Sequence, residues 1–391
     1  MKNMYVTDLI RPEILTMEAY TPIVPFEVLS EQLGRKPEEI IKLDANENPY
    51  GPSLRALQAL AELEYAHIYP DPESNRLREA LAAYTGVPKA NLLAGLGADE
   101  LIDLIQRLFV RPGDVIVDLP PTFGMYSFDA GLNGAGVVAV ARRADFSIDI
   151  EAVERAVSEL AASGRRAPLL FATSPNNPDG SVIDDATLER LLALPLVVVL
   201  DEAYIEFHGV AHSRMKWVLE HENLIVLRTF SKLAGLAGLR VGYGAFPTAL
   251  MPHFWKIKQP YNVPVSASAA AIAALSDVEG LHANVARLTA ERDRLSEALS
   301  ELGWLTPYPS RSNFVLCRVQ GRDARELRET LARKYGILIR YFNKPGLRDC
   351  IRISVGKPEH TEALVKALKE EASGLRRQVS EAGASASTTD A

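Results

Sequence analysis

The sequence has few of the features that mark secreted, membrane-bound or nucleic-acid-binding proteins. Only two of its 391 residues are cysteine, Cys317 and Cys350, which excludes a framework of several disulfides and favours a reducing compartment. No apolar run approaches the roughly 18 residues of a membrane-spanning helix, and residues 1–17 lack the apolar core of a signal peptide. The formal net charge is -7 and no segment is strongly basic. We therefore expect a cytoplasmic protein that binds neither membranes nor nucleic acid.

Short apolar runs alternate with helical segments along the first two thirds of the chain. These runs contain mainly Val, Ile and Leu with little alternation, as in strands that are covered on both faces. The predicted strands are residues 91–93, 115–118, 136–140, 169–172, 196–200 and 224–227. Strands that alternate with helices in this way predict a largely parallel α/β sheet.

The length of the chain predicts two domains rather than one. After residue 264 the pattern changes to an alanine-rich helix, a long amphipathic helix and a smaller α+β unit. We predict an arm and part of the small domain over residues 1–40, a large domain over 41–265 and a small domain over 266–372. The tail, residues 373–391, is rich in Ala, Ser, Thr and Glu without an apolar period, and we expect it to be disordered.

A lysine lies in a glycine-rich loop directly after the last predicted strand, in the segment TFSK that ends at Lys232. A buried ammonium group is unfavourable unless it is neutral or paired. Desolvation and a nearby cation, for which Arg240 is the candidate, both lower the pKa of a lysine, and a neutral amine can attack a carbonyl. Arg240 is also suited to binding phosphate. Taken alone, the cluster is equally compatible with a surface loop that carries an ordinary lysine.

Three other polar clusters stand at the ends of predicted strands, where ligands bind in open α/β sheets. Asp201 opens the segment DEAY, and an aspartate there either pairs with a ring nitrogen or caps a helix. The segment SPNNPDG, residues 174–180, forms a tight turn whose asparagine amides can donate to a ligand oxygen. The segment GLGADE, residues 95–100, opens a helix whose first N–H groups suit a phosphate, although a lone G-x-G is a weak signal.

Together these clusters resemble those of the fold-type I pyridoxal-phosphate (PLP) aminotransferases, over about residues 20–358. The lysine, SPNNP and DEAY segments are typical of the superfamily, while ANENPYGPS, PTFGMY and YNV indicate its histidinol-phosphate branch. The matching segments are LDANENPYGPS (43–53), YPDP (69–72), GADELID (97–103), PTFGMY (121–126), SPNNPDG (174–180), DEAYIEF (201–207), TFSKLAGLAGLRVGY (229–243) and IRISVG (351–356). The resemblance implies an α/β fold, with a large domain of mostly parallel sheet flanked by helices and a smaller α+β domain.

The resemblance implies PLP as the cofactor, and it implies a role for each matching position. Lys232 holds the cofactor as a Schiff base and transfers protons, Asp201 pairs with the ring nitrogen, and Tyr204 contacts the ring oxygen. The other implied cofactor contacts are Asn177 at the ring oxygen, Phe123 stacked on the ring, and Ser231 and Arg240 at the phosphate, together with the backbone at Ala98 and Asp99. Tyr69 reaches the phosphate in a neighbouring subunit, which implies a homodimer.

The substrate positions follow from the same resemblance. Arg352 binds the substrate α-carboxylate in a bidentate pair, with Asn46 nearby. Tyr261 and Arg340 are candidates for the phosphate end of the substrate. The implied reaction converts histidinol phosphate and 2-oxoglutarate into imidazole-acetol phosphate and glutamate, in histidine biosynthesis.

Two positions depart from the family pattern, and several alternatives remain open. Phe123 stands where tyrosine is usual, and Leu233 stands where a small residue is common. An aromatic or broad-specificity aminotransferase and a threonine-phosphate decarboxylase share the fold. A nucleotide-binding oxidoreductase would leave Lys232 without a role, and a DNA-binding regulator would need a segment that the first forty residues have no room for. No metal is expected, since the pair His208 and His212 lacks a third ligand.

Overall fold

The structure, a computed structural model, describes residues 5–19 and 25–386, with the backbone alone for residue 27 and residues 373–386. The α-helices of this part are α1 (Pro12–Thr16), α2 (Phe26–Leu33), α3 (Leu54–Ala61), α4 (Asn75–Thr85), α5 (Gly97–Phe109), α6 (Met125–Leu132), α7 (Ile150–Ala162), α8 (Asp185–Leu192), α9 (Ile205–His208), α10 (Phe230–Leu233), α11 (Met251–Ile257), α12 (Val265–Leu275), α13 (Val278–Ser300), α14 (Ala324–Tyr335) and α15 (Pro358–Ala386). The strands are β1 (Ile41–Leu43), β2 (Leu92–Gly95), β3 (Val115–Asp118), β4 (Gly136–Ala139), β5 (Leu169–Thr173), β6 (Val197–Asp201), β7 (Leu224–Thr229), β8 (Gly242–Ala245), β9 (Leu305–Pro307), β10 (Phe314–Val319), β11 (Ile337–Tyr341) and β12 (Cys350–Ser354).

The chain divides into two units whose boundaries differ from those expected from the sequence. The larger unit contains residues 1–22, 50–286 and 310–312, and the smaller contains 23–49, 287–309 and 313–391. Residues 266–286 fall in the larger unit because α12 packs with its buried alanines against α3 and α4. Residues 41–49 fall in the smaller unit because β1 pairs with β11. Disorder was expected from residue 373, but helix α15 continues through the backbone of residues 373–386, while residues 387–391 lie outside the described part.

The larger unit is built on a seven-stranded sheet of order β2-β8-β7-β6-β5-β3-β4. Only β8 runs antiparallel to its neighbours, which confirms the prediction of a mostly parallel sheet. Alternate residues of its central strands enter two separate hydrophobic clusters, Leu170 and Val198 on one face, Phe171 and Val199 on the other. Both faces are therefore covered, as the near-continuous apolar runs indicate.

The smaller unit contains a five-stranded sheet of order β1-β11-β12-β10-β9. β1 is parallel to β11, and the other pairs are antiparallel. Helix α14 carries a strong capping signal at each end. Asp323 accepts a hydrogen bond from the Glu326 N–H at its start, and Gly336 adopts a left-handed conformation after its end. Among the described residues, no helix has the length and apolar character needed to cross a membrane.

Candidate active site

Three neighbouring strands of the larger sheet end with polar residues at one edge. β5 ends at Thr173, β6 at Asp201 and β7 at Thr229, and the three strands are mutually parallel. Thr173 lies opposite Asp201 in the strand register. The sheet therefore brings together the segments that follow these ends, which are the SPNNP, DEAY and lysine clusters of the sequence.

Lys232 lies in the short helix α10, which starts directly after β7. Thr229 fixes this turn, because its hydroxyl accepts a hydrogen bond from the Ser231 N–H at 3.1 Å and donates one to Ser231 Oγ at 2.9 Å. The Lys232 side chain is half-buried, and its Nζ lies 5.9 Å from the ring centroid of Tyr204, itself a buried residue. The sheet thus places the predicted nucleophile beside one of its predicted partners.

Asp201 presents a buried carboxylate at the end of β6. Its Oδ1 accepts a hydrogen bond from the Ala203 N–H at 3.0 Å, and its Oδ2 accepts one from the Tyr126 hydroxyl at 2.6 Å. Burial raises the pKa of Asp201 to about 6, and the two hydrogen bonds limit the rise because they favour the ionised form. A carboxylate has about four acceptor sites, so this one can still accept a bond from a protonated ring nitrogen.

The SPNNP turn uses its two asparagines differently. Asn176 is completely buried, and its amide accepts from Thr122 Oγ1 at 2.9 Å and donates to the Pro121 carbonyl at 3.0 Å and to Asp179. Its polar atoms therefore hold the turn together. Asn177, the asparagine that the resemblance assigns to the cofactor, is only half-buried.

The start of helix α5 forms a cradle with Arg240. Gly97 has a φ of +79°, and a Cβ built there would lie 2.6 Å from Arg240 Nη2. The guanidinium also forms an ion pair with Asp99, at 2.8 Å, so the Asp99 side chain as well as its backbone takes part. A helix start beside a guanidinium favours an anion, and a Cβ at position 97 would displace the end of the Arg240 side chain.

Three aromatic residues that were predicted to contact the cofactor or the substrate also lie in the larger unit: Tyr69, Tyr261 and Phe123. Tyr69 and Tyr261 stack on each other with centroids 4.9 Å apart, and both are exposed, Tyr69 by 80% and Tyr261 by 45%. Phe123 meets the edge of Tyr126 with centroids 5.6 Å apart and planes at 80°. The rings of His208 and His212 stack at 4.2 Å, and the described residues contain no group of three potential metal ligands.

The remaining predicted substrate residues belong to the smaller unit. Arg340 and Arg352 lie opposite each other on β11 and β12, and both guanidinium groups lie near the ring of Phe342, at 5.8 and 5.5 Å from its centroid. Arg352 Nη2 donates to the Asp44 carbonyl at 2.8 Å. The Asn46 N–H donates to Ser354 Oγ at 2.8 Å. The unit thus brings the two arginines together and anchors Asn46 beside the strand of Arg352.

Comparisons with family models, curated proteins and solved structures all indicate one family. A family model for aminotransferase class I and II matches residues 38–368. The chain belongs to this aminotransferase family. It is 56% identical to the chloroplastic histidinol-phosphate aminotransferase of Nicotiana plumbaginifolia, over 92% of this chain and 86% of that protein. It is 54% identical to the histidinol-phosphate aminotransferase of Roseiflexus castenholzii, over 93% and 98%. The histidinol-phosphate aminotransferase of Sinorhizobium meliloti, solved with pyridoxal-5'-phosphate, superimposes with a TM-score of 0.85 at 31% identity, over 95% of this chain and 99% of that one.

The donor set of this aminotransferase fits PLP. The buried Asp201 carboxylate suits a protonated pyridine nitrogen, and the cradle at Gly97, which a Cβ would fill, suits a phosphate. Sequence reasoning assigned no role to Tyr126, although it quoted the residue within PTFGMY. Its role depends on a contact with Asp201, which lies 75 residues further along the chain and which no local pattern indicates.

Proposed function

We propose that this aminotransferase transfers the amino group of histidinol phosphate to 2-oxoglutarate, which gives imidazole-acetol phosphate and glutamate in histidine biosynthesis. The observation that carries the proposal is the placement of Lys232, Asp201 and the Gly97 cradle at one sheet edge, in a chain whose relatives are named for this reaction. An aromatic or broad-specificity aminotransferase and a phosphothreonine decarboxylase are not favoured, because over half of the residues match histidinol-phosphate aminotransferases along nine tenths of the chain.

Pyridoxal 5'-phosphate is the cofactor. When bound, it supplies an aldehyde that condenses with amines and a ring that draws electrons away from the substrate carbon. The residues that would hold its ring are Asp201, Asn177, Tyr204 and Phe123, and those that would hold its phosphate are Ser231, Arg240, Ala98 and Asp99. Lys232 would carry the aldehyde carbon.

The chain contributes proton transfer and charge. The Lys232 amine takes a proton from the substrate carbon and returns one during the reaction, as a general base and acid. Asp201 keeps a negative charge in a buried position, and the Tyr126 hydroxyl and the Ala203 N–H stabilise that charge. Tyr204 lies against the Lys232 amine and limits its positions.

The two amino donors, glutamate and histidinol phosphate, differ in their anionic groups. A different arginine can bind each of these groups. Glutamate carries an α-carboxylate, for which we assign Arg352 with Asn46 close to it. Histidinol phosphate carries a phosphate instead, for which we assign Arg340 and Tyr261. A planar guanidinium binds either group through two parallel hydrogen bonds.

We assign a homodimer in the cytoplasm to this enzyme. Large apolar side chains are exposed on the larger unit within residues 54–69, including Leu54 at 84%, Tyr65 at 61% and Tyr69 at 80%. A second copy would cover them and bring Tyr69 to its cofactor phosphate. Equal amounts of Y69A and K232A chains, unfolded and refolded together, should then give mixed dimers with one intact site and more activity than either variant alone. Activity no higher than the sum of the separate variants would count against a shared site.

The substrate assignment is tested by a panel of amino acceptors with glutamate as donor. Imidazole-acetol phosphate should give the highest kcat/KM, since its phosphate and imidazole are both recognised. Phenylpyruvate serves as the aromatic comparison, and O-phosphothreonine serves to detect release of carbon dioxide. A higher kcat/KM with phenylpyruvate, or decarboxylation of O-phosphothreonine, would make the proposed substrate wrong while leaving the aminotransferase family unchanged.

A further inference from the structure

Tyr126 is a completely buried tyrosine that contacts two of the residues assigned to the cofactor ring, Asp201 and Phe123. Its hydroxyl lies 2.6 Å from Asp201 Oδ2, and its ring makes a T-shaped contact with the ring of Phe123. One face of the Tyr126 ring stacks on Phe171, a residue of β5, with centroids 4.7 Å apart and planes at 11°. Phe171 thus holds the Tyr126 ring on the sheet, while the Tyr126 hydroxyl contacts Asp201 and the ring contacts Phe123.

A chain of hydrogen bonds fixes the Tyr126 hydroxyl. The hydroxyl lies 2.9 Å from Thr173 Oγ1, which lies 3.2 Å from Thr122 Oγ1. Thr122 in turn donates to Asn176 Oδ1 at 2.9 Å, within the SPNNP turn. Since Thr173 can donate to the phenol oxygen, the Tyr126 proton is directed at Asp201. The contacts with Thr173 and Asp201 therefore hold the phenol oxygen from two sides, which restricts movement of the carboxylate.

We propose that Tyr126 is a positioning residue for the cofactor ring. The Tyr126 hydroxyl keeps Asp201 ionised and oriented, and the Tyr126 ring packs against Phe123. This inference rests on the proposed function, because it requires Asp201 to bind the ring nitrogen. A hydroxyl that donates to a carboxylate stabilises the charged form, and a charged Asp201 keeps the ring nitrogen protonated.

The surroundings of Asp201 and Tyr126 disfavour the ionised form of the Asp201 carboxylate, which this hydrogen bond stabilises. Burial disfavours the ionised form of Asp201, and the nearby acidic groups Asp99 and Glu202 act in the same direction. Asp118 faces the Tyr126 side of the pair, and together with burial and Asp201 it raises the pKa of Tyr126 well above its ordinary value. Tyr126 therefore remains a protonated donor, and among the described residues Asp201 accepts hydrogen bonds from this hydroxyl and from the Ala203 N–H.

The test reads the protonation of the ring nitrogen directly, with PLP that carries ¹⁵N at the pyridine position. The ¹⁵N chemical shift of each reconstituted enzyme is followed against pH. In Y126F the pH at which the nitrogen loses its proton should fall by about one unit, since one hydrogen bond to a charged group is lost. The matched control is Y84F, which removes the hydroxyl of another tyrosine in the same unit. The Tyr84 hydroxyl is buried without a hydrogen-bond partner among the described residues, so this midpoint should match the wild type.

Two further variants separate the possible failures. D201N should lose the proton from the ring nitrogen, and a wild-type signal in D201N would overturn the assignment of Asp201 itself. If D201N changes the signal but Y126F gives the wild-type midpoint, the inference about Tyr126 is wrong and the proposed function stands. If Y126F does not fold, 3-fluorotyrosine at position 126 decides the question, because its more acidic hydroxyl should raise the midpoint. An unchanged or lower midpoint there overturns the inference.

Discussion

Glu202 and Arg228 form a buried ion pair between the neighbouring strands β6 and β7, with Arg228 Nε 3.1 Å from Glu202 Oε2. Both side chains are at least 95% buried. Glu202 follows Asp201 directly, and Arg228 precedes Lys232 by four residues. The Ser213 hydroxyl donates to the same carboxylate at 2.7 Å. The pair therefore fixes the two strand ends that carry the assigned catalytic groups.

Removal of Arg228 should destabilise the protein strongly. R228M leaves the carboxylates of Glu202 and Glu206 buried without their cation, and we expect a loss of about 3–5 kcal/mol in the free energy of unfolding. E151Q is the control, since it removes the carboxylate that pairs with Arg143 and Arg190 on the exposed surface and should change stability far less. Urea denaturation measures both. Equal losses in the two variants would contradict the role given to the buried pair.

A Cβ at position 97 should weaken cofactor binding. G97A imposes a side chain at a φ of +79° and places its Cβ 2.6 Å from Arg240 Nη2. We expect at least about a tenfold rise in the Kd for PLP, measured by absorbance titration of the cofactor-free protein. G113A provides a matched control, with a φ of +90° and open space around its Cβ. It shares the backbone strain and should keep the wild-type Kd, so a similar rise in both variants would assign the effect to strain alone.

The buried Asp201 should make the stability of the cofactor-free protein depend on pH. Its pKa in the folded protein, about 6, exceeds the ordinary 3.8, so the native state holds this proton more tightly than the unfolded chain. The resulting penalty is absent below pH 3.8, grows as the pH rises through this window, and is complete above pH 6. D201N removes the charge and should stabilise the protein by up to about 3 kcal/mol at pH 8. Urea titrations at pH 4 and pH 8 test this, and a gain that is equal or larger at pH 4 would refute it.

The two arginines of the smaller unit should discriminate between the amino donors. R340A should raise the KM for histidinol phosphate by about tenfold or more and change the KM for glutamate much less. R352K, which keeps the charge but loses the bidentate geometry, should do the reverse. Steady-state kinetics with each donor separate the two effects. If R340A leaves the KM for histidinol phosphate unchanged, its proposed role is wrong.

Much of the larger unit could be predicted because its signals are local. The buried strands β3, β5 and β7 each begin with an uninterrupted apolar run, namely VIV, LLFA and LIVL, and the SPNNP and lysine segments follow the last two runs. Helix α14 carries a cap at each end. Strand β8 was not predicted, since two of its four residues are glycine and its partner β2 lies far away in sequence.

The finer structure of the site depends on contacts that no local pattern encodes. The pairing of β1 with β11, which moves residues 41–49 into the smaller unit, joins segments nearly 300 residues apart. The Tyr126–Asp201 hydrogen bond joins a helix to the end of a strand 75 residues later. Asp99 was assigned through its backbone alone, and its ion pair with Arg240 emerges only when α5 and the loop before β8 meet.

The central claim, that Lys232 carries the cofactor, is tested most directly by trapping the bond. Borohydride reduces the carbon–nitrogen double bond between PLP and its lysine, and mass spectrometry of the digested protein then locates the label. Lys258 is a fair competitor, because it is 8% exposed and burial lowers its pKa, although its Nζ donates to Asn262 Oδ1 at 2.6 Å. The account predicts one label per chain, on Lys232, and none in K232A. A label on Lys258 in the wild type, or full labelling of K232A, would contradict it.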